Sequence, residues 1–311
     1  MAYSYKHVIH AEDMISLSIA LTGFAALVSQ IVYMRELLVV FYGNELSVAF
    51  ILASWLVGGA VGSLFLGRYA ERVKSVRMDF AGCQLALSII LPLNIFLIRS
   101  VKSAMGVNPG EIIPFFPMVA AAFSILVPTC AIIGFMFALG CRLYGSARSG
   151  AVRIGRVYVL EACGAIVGGM AASFLLVRLL SSVMIVATIS ILFSAAAAGL
   201  LYSSTRTKGR LAGISLAVIV LAAGIFAMPF GGWERFDSFS MARQWKGHEL
   251  VASANSIYGN VTLSRNGSLY SFFVNGLHLY TVPDPQVSEE AVHFAMLEHP
   301  DPKSVLLIGG G

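Results

Sequence analysis

The residues best suited to chemistry are few, and they gather toward the C-terminus. Lys303-Ser-Val-Leu-Leu-Ile-Gly-Gly-Gly311 is an apolar run of strand length that enters three consecutive glycines. A strand buried on both faces reads as a continuous apolar run. Gly309, Gly310 and Gly311 would then let the backbone turn tightly and approach a nucleotide closely. Just upstream, Glu289 and His293 lie four residues apart and share one face of an expected helix at about 286–298. In the apolar part of the chain, Glu161 has two readings. It is a functional intramembrane carboxylate, or a helix-end carboxylate near the headgroups, paired with Arg156 or favoured by the helix N-terminus. The adjacent pair Arg35–Glu36 reads as a local anchor at a membrane interface, and Gln30 and Asn94 as interhelical hydrogen-bonding groups. Cys83, Cys130, Cys141 and Cys163 fall in or beside apolar segments without metal-ligand spacing and read as small packing residues.

What must position these groups is a membrane bundle. Hydrophobic residues make up 58% of the chain and charged residues 12%, about half the charged share of a soluble domain. Seven stretches approach the ~20 residues that span a bilayer, at roughly 14–34, 46–67, 80–98, 114–141, 157–179, 182–202 and 211–230. The first is expected to run on as an amphipathic extension to Phe41. The formal net charge of +5 does not indicate nucleic acid, because the basic residues cluster in the loops between apolar segments. Arg68 to Arg77, Arg142 to Arg156 and Arg206 to Arg210, with Lys6, place twelve basic residues on one side; Arg35, Arg99, Lys102 and Arg178 place four on the other. The positive-inside rule then sets the N-terminus in the cytoplasm and the tail after seven spans outside. Gly58-x-x-x-Gly62 and Gly164-x-x-x-Gly168 are read as helix-packing faces.

After Phe230 the composition changes. Residues 231–254 read as a juxtamembrane connector without periodicity, in which Trp233 is an interfacial anchor. Strands are expected at 256–264, with a kink at Gly259, at 268–274 and at 277–281, joined by Asn266-Gly267 and Asn275-Gly276 turns. Asn-Gly between β runs is a strong hairpin signal. The helix at 286–298 and a strand at 304–308 follow. The fold class is therefore an α-helical polytopic bundle of about seven transmembrane helices (1–230), the connector (231–254), a small antiparallel β meander (255–282), and the first helix and strand of an incomplete Rossmann-like α/β domain (283–311). Two sequons, Asn260-Val-Thr262 and Asn266-Gly-Ser268, are short enough to arise by chance.

The order of meander, helix and Glu298-His-Pro-Asp-Pro-Lys-Ser-Val-Leu-Leu-Ile-Gly-Gly-Gly311 resembles the polyamine aminopropyltransferase (spermidine synthase) family over about residues 255–311. The membrane half, including Ser29-Gln-Ile-Val-Tyr-Met-Arg-Glu-Leu-Leu38, looks like the multi-pass region of membrane-anchored members, which are transporter-like fusions. Gly62 to Lys74 loosely resembles the loop after the second helix of major-facilitator transporters. The resemblance implies aminopropyl transfer from decarboxylated S-adenosylmethionine, a nucleoside co-substrate with no tightly bound cofactor, to a polyamine. Gly309 to Gly311 would approach the donor, and Tyr258, Glu289 and His293 would contact the substrate. It also leaves room for a homo-oligomer in the lipid bilayer. The sequence departs from the family at Val292, Phe294 and Gly259, where tyrosine, glutamate and a substrate-contacting glutamine are expected, and Asn275 stands where the family has aspartate. Those losses argue against ordinary putrescine specificity. The family's acidic residue after the glycines and its catalytic aspartate would lie beyond Gly311, so residues 1–311 alone are expected to be inactive. A multi-pass transporter or a membrane sensor with a non-catalytic nucleoside-binding tail is the competing reading, and another S-adenosylmethionine-using transferase a third.

Overall fold

The structure is a computed structural model that describes residues 2–144, 150–203, 209–256 and 259–306, apart from the side chains of residues 2–11 and 291. Seven of its helices are long and apolar enough to cross a membrane. They are α1 (Ala2–Phe41, apolar over Glu12–Phe41), α2 (Glu45–Ala70), α3 (Val76–Met105), α4 (Phe115–Leu143), α5 (Gly150–Leu179), α6 (Ser182–Tyr202) and α7 (Arg210–Ala227). Local chemistry marks their ends. The Asn44 side chain accepts from the Ser47 N–H at 2.7 Å to open α2, and left-handed Gly106 closes α3, a conformation that glycine adopts without a Cβ penalty.

Several boundaries differ from those expected, each for a physical reason. Helix α2 continues through Gly62 to Ala70, so the segment read as a loop is mostly helical; the apolar run Gly62–Leu66 carries it on as a π-helical turn. Helix α5 begins at Gly150 rather than near 157, which places Glu161 well inside it. The connector contains α8 (Gly232–Gln244) and strand β1 (Glu249–Asn255). No apolar periodicity announced α8 because the buried part of its packed face is polar, Ser240 and Gln244, while Phe236 and Phe239 flank the Phe96 ring of α3.

The meander has four strands, β1, β2 (Asn260–Asn266), β3 (Leu269–Val274) and β4 (Leu277–Val282), antiparallel and in sequence order. Val274 pairs with Leu277 across Asn275-Gly276, both at positive φ, as a two-residue hairpin turn of the primed kind requires. The other hairpin pairs Asn266 with Leu269; its loop is Gly267-Ser268, and only Gly267 takes positive φ. The first expected strand starts at Asn260 rather than 256. Helix α9 (Pro285–Leu297) follows, capped by Asp284. Residues 302–306 are not in a strand; no described segment pairs with them, and a strand exists only through its ladder.

The bundle carries an internal symmetry. Val57-Gly-Gly-x-x-x-Ser-x-x-Leu-x-Arg68 recurs 110 residues later as Val167-Gly-Gly-x-x-x-Ser-x-x-Leu-x-Arg178, and the π-helical turns Gly62–Leu66 and Ala172–Leu176 sit at the same place in both. The partners correspond too. Gly164 and Gly168 of α5 lie against the backbone of Ala20 and Phe24 in α1, while Gly58 and Gly62 of α2 lie against Val127 and Ala131 in α4. Each pair advances in the same direction, so each is parallel. Because α2 and α5 cross the bundle in opposite senses, helices α1–α3 and α4–α6 are inverted repeats.

One end of the bundle gathers the basic loops. Arg77 donates to the Ser203 carbonyl at 3.2 Å, Arg142 to the Val73 carbonyl at 3.3 Å and Arg210 to the Leu201 carbonyl at 2.8 Å. The sheet packs on the opposite end, where Gly276 lies against the Val39 backbone.

Candidate functional site

A cavity of about 590 Å³ lies where the bundle meets the sheet. Helix α1 contributes Arg35 and Glu36, α3 contributes Arg99, α8 contributes Asp237 and Gln244, and the β1 edge and the Gly259–Asn260 bend close it. The site exists because α1 runs past the apolar zone and carries two charged residues to the bundle end. A helix directs neighbouring side chains about 100° apart, so the pair divides between two partners.

Glu36 turns inward and is 6% exposed, and Arg99 is 3% exposed. The Arg99 guanidinium donates from Nε to Glu36 Oε2 at 2.8 Å and from Nη2 to Oε1 at 3.0 Å. Its Nη1 donates to Asp237 Oδ1 at 2.5 Å and to Ser240 Oγ at 2.6 Å. This is the bidentate fork that arginine makes with a carboxylate, extended to a second acid, and it ties α1, α3 and α8 together. Arg35 turns outward and donates from Nη2 to the Ser256 carbonyl at 2.5 Å. The expected local Arg35–Glu36 anchor is thus two separate contacts, because each side chain finds a better partner on another element. Asn275 completes the rim: its Oδ1 accepts from the Asn260 N–H at 2.9 Å. A Cβ at Gly259 would collide with the Asn275 side chain, so the glycine allows that close approach.

A second polar knot lies beside it. Lys102 donates to the Tyr42 hydroxyl and sits 3.8 Å from that ring's centroid, and the hydroxyl donates to the Glu111 carbonyl at 2.5 Å. Burial, aided by the Glu111 charge, pushes Tyr42 up to about 12, which keeps it a neutral donor. Hydrogen bonds from Asn108 hold Glu111 below its ordinary range.

Among the described residues, the site residues expected from the sequence do not converge here. Glu289 and His293 stand exposed on α9 and do not line the cavity. Tyr258 and Gly309, Gly310 and Gly311 lie outside the described residues. Gly259 and Asn275, two of the four positions at which the sequence departs from the pattern it resembles, do line it. Glu161 has no ion pair among the described residues; Arg156 instead stacks over Tyr144 at 4.7 Å, and the Glu161 backbone lies against Gly23 of α1. Asn94 bonds Thr129 across α3 and α4 at 2.7 Å. Reading the sequence missed Arg99, Asp237 and Gln244. Arg99 was legible only as a charge near a helix end, and nothing in the sequence tied it to an acid 63 residues away.

The fold and site together define a seven-helix bundle, compatible with a multi-pass membrane protein, that carries a four-stranded sheet on one end, with a cavity between the two that Arg35, Glu36, Arg99 and Asp237 line. Family profiles, curated proteins and solved structures were compared with the chain, and none matches it.

Proposed function

We propose that this chain is a membrane-bound, spermidine synthase-like protein that takes part in aminopropyl transfer from decarboxylated S-adenosylmethionine to an amine. In that reaction a neutral amine attacks the propyl carbon next to the sulfonium. The C–S bond breaks, methylthioadenosine leaves, and the new ammonium gives up a proton. Catalysis of such a step is mainly alignment with help from a base. One observation supports the reading beyond the resemblance itself: of the residues matching the family's acceptor-contacting Ser-x-Tyr-Gln, Gly259 lines the cavity and the Ser256 carbonyl accepts from Arg35 of α1. The bundle would then be part of the acceptor site, not only its anchor. The finer description of 283–311 as the opening of a Rossmann-like domain, and Glu289, His293 and Gly309 to Gly311 as ligand contacts, belong to this proposal. The test is release of methylthioadenosine by the full-length gene product in lipid nanodiscs with donor and a panel of amines. Release that depends on an amine supports the reading, and silence with every amine overturns it.

The inverted repeat and the position of the sheet favour a second reading, a transporter or a sensor whose tail binds its ligand without catalysis. Inverted repeats are the construction of many secondary transporters, and the positive-inside rule places the sheet outside the cytoplasm, away from a cytosolic donor. Uptake of a solute by proteoliposomes without any methylthioadenosine release would select it.

A further inference from the structure

We infer that Asn266 of the β2–β3 hairpin is a self-modifying site, where the Gly267 backbone nitrogen closes on the Asn266 side chain and converts it to aspartate and isoaspartate, while the same dipeptide at Asn275-Gly276 is protected by its packing. The sequence carries Asn-Gly twice, and both pairs sit at hairpin turns. Glycine after asparagine opens the way to this reaction, because no Cβ shields the attacking nitrogen. The chemistry needs only water. The deprotonated Gly267 nitrogen attacks Cγ of Asn266, the Cγ–Nδ2 bond breaks, and Nδ2 takes up protons from solvent and leaves as ammonia. Water then opens the cyclic imide at either carbonyl. Opening at Cγ restores the ordinary backbone as aspartate. Opening at the main-chain carbonyl leaves isoaspartate, whose backbone runs through Cγ and is longer by a methylene.

The fold separates the two pairs. Asn266, Gly267 and Ser268 are all exposed, and no described residue holds the Asn266 side-chain amide. Asn266 pairs with Leu269 as the last rung of the ladder, so Gly267 lies in the loop beyond it and its N–H is not used by that ladder. At Asn275 these conditions are reversed. Gly276 is buried, with the Val39 backbone beside it. The Asn275 Oδ1 accepts from the Asn260 N–H at 2.9 Å, and the side chain lies so close to Gly259 that a Cβ there would collide with it. Asn275 must break this bond and swing away before its Cγ can reach the Gly276 nitrogen. Asn260, itself buried, would then be left with an unpaired donor.

The two products act differently on the hairpin. Aspartate keeps the loop and adds a negative charge next to Arg265, whose guanidinium already bonds Glu249 at 2.5 Å. Isoaspartate lengthens the main chain at the residue that closes the turn. Loop length fixes the turn type and register of such a hairpin, so the isoaspartate form loses the Asn266–Leu269 rung and loosens β3. Neither the transfer nor the transport reading is needed for this.

The experiment incubates the protein in nanodiscs in mildly alkaline buffer over days and maps its peptides by mass spectrometry, with electron-transfer fragmentation to separate aspartate from isoaspartate. A second aliquot is incubated in denaturant, where packing protects neither pair. We expect Asn266 to convert about tenfold faster than Asn275 in the folded protein, the worth of a hydrogen bond whose loss leaves a buried donor unpaired, and the two rates to approach each other in denaturant. Gly259→Ala, which displaces the Asn275 side chain, should speed conversion at Asn275 and leave Asn266 unchanged; the wild-type comparison stands without this variant if it misfolds. Molecules carrying isoaspartate should exchange amide hydrogens faster over Leu269–Val274 than fresh protein, and unchanged exchange overturns the loosening. An Asn266 that stays intact in the folded protein, equal conversion at the two sites, or faster conversion at Asn275 overturns the inference. So does the same ratio in denaturant, because the difference would then come from the flanking residues and not from the fold.

Discussion

Removing the Arg99 side-chain charge tests how the sheet end of the bundle is held. In Arg99→Met the stem survives as packing, but Glu36, 6% exposed, and Asp237 lose the guanidinium that makes four bonds at 2.5–3.0 Å. Breaking a buried pair from one side leaves a buried charge uncompensated and costs about 3–5 kcal/mol. That is a large fraction of ordinary domain stability. Removing both partners, as in Glu36→Leu with Arg99→Met, leaves only Asp237, whose side chain is 24% exposed, without its guanidinium and should recover most of the loss. The double-mutant cycle isolates the coupling, which we expect at about 2 kcal/mol or more. Reversible unfolding in mixed micelles, followed by Trp233 and Trp245 fluorescence, reads it. If Arg99→Met matches wild type, or the two single losses simply add, the network is not a structural tie and the account of α8 docking fails.

Other outcomes follow from the same packing. Gly164→Ala and Gly62→Ala should each destabilise by about 1–3 kcal/mol, because the new Cβ would meet the backbone of Ala20 or Ala131, whereas Gly59→Ala, with open space around it, should be neutral; equal effects at all three would deny the repeat's packing role. His248 is held below its ordinary value by burial first and His278 second. Its neutral form is therefore favoured by folding, and the sheet should lose protection in hydrogen exchange as pH falls below about 6.5, the unfolded value. The same pH slope in His248→Gln would refute that assignment. A single cysteine after Phe230, with Cys83, Cys130, Cys141 and Cys163 replaced, should be labelled from the side opposite the Arg142 loop; labelling from the same side would overturn the path of α7.

The helices were legible because apolar length is a local property, and seven segments show it in both sequence and structure. The Asn275-Gly276 turn was legible for the same reason, since positive φ at both residues selects their types. The cavity was not. Its residues come from α1, α3, α8 and the sheet, and their meaning depends on pairing across 63 and 138 positions. Strand β1 escaped notice because almost all of it is exposed and no face alternates. The repeat was present in the sequence as two Gly-Gly-x-x-x-Ser runs, but they sit inside helices of opposite sense, where only the π-helical turns and parallel partners give them meaning.

The path of α7 decides how the tail conflict can be resolved. A re-entrant last span would return the sheet to the basic end of the bundle and reconcile it with a cytosolic donor. Helix α7 does not do this. Its 18 residues rise about 27 Å, close to the hydrocarbon thickness. Gly213 meets Leu201 near the start of α7, and Gly224 meets Ile191 near its end, so the helix lies antiparallel along α6 from end to end. Trp233 then donates to the Gly224 carbonyl at 3.0 Å and turns the chain into α8 across the far end. The sheet and the basic loops are therefore on opposite ends of the bundle, and only the charge rule relates those ends to the cell. If the rule holds, the cavity is reached from outside, and transfer would require a donor there as well. If transfer is measured from a cytosolic donor, the arginine-rich loops face outward, contrary to the rule.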